Sequence, residues 1–134
     1  MIRKLNHLGI AVSNLDEGLA LYERILGSKP LFIKDIPEKQ ARVALFKIGE
    51  DVEIELLSAT GPLCDIKEFI DKHGQGIHHI ALEVDDVDAE LKAMEKKGIK
   101  ATDKVGRRGV AGKVGFLDSE STKGVLMELV QPTH

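Results

Sequence analysis

The sequence predicts an α+β fold of two tandem βαβββ modules, and three observations carry that expectation. First, the chain repeats itself: "LNHLGIAVSNLDEGLALYERILG" from Leu5 is laid on "IHHIALEVDDVDAELKAMEKKG" from Ile77 by a shift of 72 positions, matching His7 to His79, Ile10 to Leu82, Val12 to Val84, Asp16 to Asp88 and Leu19 to Leu91. Second, "VEIELL" from Val52 meets "VLMELV" from Val125 at a shift of 73, which lays Glu55 on Glu128. Third, each copy passes from period-two alternation to an apolar stripe of helical spacing and back to alternation.

In the first module, about 3–60, a strand over 5–12 leads to Asn14, whose side chain is suited to cap a helix. The stripe Leu15, Leu19, Tyr22 and Leu26 gives that helix one buried face, and Gly27 stops it. Three strands follow at about 29–35, 41–48 and 52–58. A linker helix within about 62–75, "GPLCDIKEFIDKHGQG", is read with Asp65 as its cap, Ile66, Phe69 and Ile70 inward and Gly74 at its end. His73 falls in its last turn, where a cation favours the helix dipole, and Cys64 reads as a small apolar filler. The second module, about 76–132, repeats the order: a strand over 77–84, a cap at Asp86, the stripe Val87, Leu91 and Met94, a stop at Gly98, and strands at about 99–105, 112–118 and 124–130.

A chain of 134 residues with 43% apolar residues suffices for one core, so residues 1–134 are read as a single domain. Lys+Arg 19 against Asp+Glu 22 gives a net charge of -3, which supplies no broad basic surface for nucleic acid or an anionic membrane. The single cysteine excludes an internal disulfide framework and any CxxC metal or redox motif. With no spanning apolar run of about 20 residues and no charged-then-apolar leader, the expectation is a soluble cytoplasmic protein.

Strand parity separates the adjacent histidines of "GIHHIALEV". His78 shares a face with Ile80, Leu82 and Val84, the face expected under a helix, as are Leu8, Ile10 and Val12 in the first copy. His7 and His79 lie opposite, beside the small residues Gly9, Ala11 and Ala81, which leave room for something. On the late strands Glu55 points away from Ile54 and Leu56, while Glu128 shares a face with Leu126 and Val130 and needs a cation, a histidine or solvent there. Two imidazoles and two carboxylates at repeated positions suit one divalent metal with open positions for water or substrate. The alternative is two separate structural His/Glu pairs at a β interface.

The loop "GRRGVAGKV" is not a phosphate loop: five residues separate Gly106 from Gly112 where that motif needs four, and Val114 stands where Ser or Thr would hold magnesium. Lys104, Arg107, Arg108 and Lys113 remain either contacts for a phosphorylated ligand or an ordinary solvated surface.

With "NHLGIAV", "PEKQARVALFKIGEDVEIELL", "GIHHIALEVDDVDA" and "KGVLMELVQP" in hand, the sequence resembles the vicinal oxygen chelate (glyoxalase/dioxygenase) superfamily and, within it, the methylmalonyl-CoA epimerase family, over nearly the whole chain. The resemblance implies a glyoxalase-like fold whose two modules form an open cleft or barrel. It implies His7, Glu55, His79 and Glu128 as ligands of one divalent metal (Co, Mn, Ni, Zn or Fe), with His78 not a ligand and no other cofactor. It implies an isomerase that interconverts the 2R and 2S epimers of methylmalonyl-CoA through an enolate, with Glu128 the first and Glu55 the second candidate for proton transfer; the clustering of charge at Arg107, Arg108 and Lys113 in an otherwise acidic chain makes that loop the expected contact for the CoA phosphates. The expected partners are a small acyl-CoA and a second copy of the chain in a homodimer. The sequence departs from the family at Glu55, where some epimerases carry glutamine and an additional acid near Val43, and at Asp118, Ser119 and Glu120, where relatives often read His-Pro-Lys. A glyoxalase-type lyase uses the same four ligands, an extradiol dioxygenase uses two histidines and one carboxylate with iron, and a drug-sequestering binder of the same fold needs none of them.

Overall fold

A computed structural model describes residues 1–133, which form two compact units: residues 7–78, and residues 79–133 together with 1–6. Strand β1 (Ile2–Ala11) is shared between them.

In the unit of residues 7–78 the expected order is found: β1, helix α1 (Leu15–Leu26), β2 (Phe32–Ile36), a 3-10 turn (Pro37–Lys39), β3 (Ala41–Ile48), β4 (Val52–Ala59) and helix α2 (Asp65–His73). Asn14 caps α1 by accepting the Glu17 N–H at 3.0 Å, and Gly27 ends it at φ +68°, a conformation that costs glycine little. Leu15 and Leu19 press on Val12, Ala44, Phe46 and Leu56, so the alternating strands bury one face under α1. The other face carries Ala11, Val43 and Leu57, against which α2 sets Cys64 and Ile66, with Phe69 and Ile70 beside them. β4 lies between β1, to which it is parallel, and antiparallel β3.

Two local expectations are corrected here. β2 begins at Phe32, not near 29, because Pro30 has no amide to give a ladder and the pairing with β3 starts beyond it. Asp65 is the first residue of α2 and not its cap; Cys64 holds the cap position with no side-chain hydrogen bond, while the Asp65 carboxylate still favours the helix N-terminus by charge.

The second unit contains β5 (Gly76–Val84, from His79 onward), helix α3 (Val87–Lys96), a two-residue β6 (Arg107–Arg108), β7 (Gly112–Phe116) and β8 (Met127–Pro132), with β8 between parallel β5 and antiparallel β7. Asp86 caps α3 by accepting the Ala89 N–H at 3.1 Å. Val87 and Leu91 pack on Val84, Leu117 and Leu129. The strand expected at 99–105 is reduced to one bridge, Ala101 to Leu117, because the Asp103 carboxylate takes the Phe116 N–H at 2.8 Å and ends the ladder there. β8 starts at Met127, not 124: Lys123 and Gly124 sit at φ +62° and +90° in a turn closed by Gly124 N–H to Ser119 O at 2.7 Å. Among the described residues no helix is long and apolar enough to cross a membrane.

Candidate metal centre

Each unit holds one buried histidine–carboxylate pair. In the unit of residues 7–78, His7 Nε2 lies 3.9 Å from Glu55 Oε1, at 2% and 6% exposure. In the other, His79 Nε2 lies 3.9 Å from Glu128 Oε2, at 4% and 8%. The strand registers explain the likeness. Glu55 stands opposite Gly9, two residues past His7, and Glu128 stands opposite Ala81, two residues past His79. A histidine and a carboxylate on neighbouring strands thus meet diagonally over a residue too small to separate them.

Burial sets the protonation of the first pair. It pushes the His7 imidazole down to about 4, so the ring is neutral and keeps a lone pair for coordination. It pushes the Glu55 carboxyl up to about 7, against the pull of Lys39 and with a push from Glu53. The pair thus sets a neutral imidazole nitrogen beside a carboxyl group whose ionisation burial opposes. It is a donor set that a divalent cation fits, since the cation would offset the cost of the buried carboxylate.

His78 is placed elsewhere: its ring meets Phe69 of α2 edge-on at 5.0 Å between centroids, and its Nε2 lies 3.9 Å from Asp65 Oδ2. His73 is exposed and tilts against the same Phe69 at 5.1 Å.

The three basic residues of the 106–114 loop have different surroundings. Lys113 Nζ is paired with Asp88 Oδ2, and the other Asp88 oxygen accepts the Gly106 N–H at 2.6 Å. Arg108 is exposed on β6. Arg107 donates from Nε to Asp103 Oδ1 at 3.3 Å and stacks over Phe116, 5.3 Å from guanidinium carbon to ring centroid. Phe116, which the sequence reading passed over, meets His79 at 6.2 Å and 79° between ring planes. Its signal was present in "GKVGFL", where period two puts Phe116 on the face of Val114.

The chain belongs to the glyoxalase/bleomycin resistance protein/dioxygenase superfamily, whose family model matches residues 6–117, and its fold is the glyoxalase-like vicinal oxygen chelate fold of two βαβββ modules. Within that superfamily its relatives include the mitochondrial methylmalonyl-CoA epimerase of Dictyostelium discoideum, 37% identical over 96% of this chain and 78% of that one. The ethylmalonyl-CoA/methylmalonyl-CoA epimerase of Cereibacter sphaeroides is 34% identical over 98% of this chain and 99% of its own. Among solved structures, the Streptomyces coelicolor methylmalonyl-CoA epimerase in complex with 2-nitronate-propionyl-CoA superposes with a TM-score of 0.92 at 30% identity, covering 100% of both chains. That enzyme has been solved with a substitution at a glutamate and, separately, at a glutamine seventeen positions further on. The same interval separates Glu38 from Glu55 here.

Proposed function

We propose that this protein interconverts the 2R and 2S epimers of methylmalonyl-CoA by taking a proton from C2 on one face and returning one to the other. The observation that carries the reading is the pair of buried His/Glu sets, one in each unit, with matching separation and register, in a chain 30–37% identical to epimerases over nearly its whole length. Residues 1–134 act as one functional domain, as a homodimer in the cytoplasm.

His7, Glu55, His79 and Glu128 together hold one divalent ion (Co, Mn, Ni, Zn or Fe). When bound, that ion supplies positive charge for the substrate's thioester and carboxylate oxygens. The remaining chemistry belongs to the chain. Glu128 exchanges the C2 proton on one face and Glu55 on the other, each acting as acid or base according to the direction of reaction. Ala81 and Gly9 leave space for C2 to approach each carboxylate.

One observation favours a second assignment for the Glu55 face. Glu38, exposed in the 3-10 turn, shares its spacing to Glu55 with the substituted pair of the Streptomyces enzyme, which makes Glu38 the competing proton-transfer group and Glu55 a ligand alone.

The test is exchange at C2. Metal-loaded protein in heavy water should place solvent deuterium at C2 of methylmalonyl-CoA as the epimers interconvert. Absence of both exchange and epimerisation with metal bound would overturn the reading.

A further inference from the structure

The sequence treats Arg107, Arg108 and Lys113 as one basic cluster, but the sheet divides them. In the antiparallel β6–β7 pair Arg107 stands opposite Val114 and Arg108 opposite Lys113, and directly opposed residues share a face. Val114 packs with Ala81 and Val130, and Phe116, on the same side of β7, stands opposite Glu128. Arg107 therefore lies on the face that carries His79 and Glu128. Arg108 and Lys113 lie on the reverse face, where Lys113 is bound to Asp88 of α3.

Position on the right face is not all that distinguishes Arg107. Its guanidinium rests on the Phe116 ring, whose edge contacts His79, so a single aromatic ring separates a fixed cation from a metal-ligand candidate. Asp103 braces both parts, accepting the Arg107 Nε–H with one oxygen and the Phe116 N–H with the other. That bond engages one of five guanidinium donors, and 46% exposure of the side chain keeps the group open to a ligand.

We propose that Arg107, seated on Phe116 and braced by Asp103, is the anion-recognition residue of this site and contacts an anionic oxygen of the bound acyl-CoA, while Arg108 and Lys113 do not. The assignment rests on the functional reading above. An acyl-CoA offers two sources of that oxygen, the free carboxylate of the acyl group and the phosphates of the CoA.

Calorimetric titration of the metal-loaded protein with methylmalonyl-CoA and with propionyl-CoA, which lacks the free carboxylate, separates them. Arg107→Ala should weaken methylmalonyl-CoA binding about tenfold or more, the scale of a lost charge-assisted contact, with bound metal and melting temperature unchanged. Loss confined to methylmalonyl-CoA identifies the carboxylate; equal loss for both thioesters identifies the phosphates. Arg107→Lys should keep most of the affinity, and Arg108→Ala should bind as the unsubstituted protein does. The assignment is overturned if Arg107→Ala binds both thioesters at full strength, or if Arg108→Ala weakens them as much. If the unsubstituted protein binds neither thioester and exchanges no C2 proton, the functional reading falls and takes this assignment with it; a protein that epimerises and ignores Arg107→Ala refutes the assignment alone.

Discussion

Glu55 stands opposite Gly9 in the parallel register of β1 and β4, so the space beside its carboxyl group is bounded by a residue without a side chain. Ala81 serves Glu128 in the same way and is itself fully buried. The expected consequence is a steric test of the two pairs. Ala81→Leu should lower metal content and activity together, at an overpacking cost of about 1–3 kcal/mol. Elemental analysis beside thermal melting checks it, and a stable, fully loaded, fully active Ala81→Leu protein would show that the small residue has no part in the site.

Metal retention should follow strand parity. His7→Ala and His79→Ala are each expected to lose most of the bound metal, whereas His78→Ala, whose ring packs edge-on against Phe69 of α2, should keep it. Metal-to-protein ratios after gel filtration give the answer. Loss from His78→Ala combined with retention in His79→Ala reverses the assignment.

Proton transfer can be tested apart from metal binding with glutamine substitutions, which keep size and an oxygen donor. Glu128→Gln should retain metal and lose about 10²-fold or more in kcat. Comparing Glu55→Gln with Glu38→Gln decides the second face: the larger kcat loss with metal retained marks the proton-transfer group. In heavy water a two-group mechanism places deuterium mainly in the product epimer, and full activity of Glu128→Gln sinks it.

Asp88 provides a pH-dependent stability test away from the metal. The Gly106 N–H first, then the Lys113 ammonium, hold its carboxyl below the usual range. A lowered folded value means that the contribution is complete above the unfolded carboxylate value of about 3.9 and is lost as pH falls through the folded one. Asp88→Asn should therefore reduce the melting temperature at pH 7, with the difference from the unsubstituted protein shrinking as pH falls below the unfolded carboxylate value. A difference that stays constant over that range contradicts the argument.

The core should respond as a packed β–α layer. Leu129 is fully buried between β8 and α3, and Leu129→Ala should cost about 2–5 kcal/mol in denaturant unfolding. A loss below about 1 kcal/mol would indicate that the layer collapses around the vacancy.

Much of this architecture was legible because local rules and tertiary burial agree. Asn14, Gly27 and Asp86 punctuate the helices as their side chains dictate, and the parity that put Leu56 and Leu82 under helices also put Glu55 and His79 on the opposite faces. The largest misplacement, the strand expected at 99–105, is decided by a single non-local hydrogen bond. Nothing in "IKATDKV" announces that Asp103 will take the amide of Phe116 and stop a strand, nor that a two-residue β6 will form at Arg107–Arg108. The division of the basic loop was hidden for the same reason, since the faces of Arg107 and Arg108 depend on a register that only the folded hairpin fixes.

The sharing of β1 bears on how the chain assembles. Residues 1–6 belong to the compact unit formed with 79–133, tied there by Arg3 to Asp85 at 2.6 Å and Asn6 to Glu83 at 3.1 Å, while the rest of the strand belongs to residues 7–78. The sequence repeat suggests two halves that could be cut apart at the linker, yet a fragment starting near Gly76 would lack six residues of its own unit. Those residues are made well before their partners, so in synthesis they wait for residues 7–78 to emerge, and the contacts they close span 82 and 77 positions of sequence. Split-gene complementation should accordingly succeed only when the fragment carrying 76–134 is supplied with the N-terminal segment, in trans or by circular permutation.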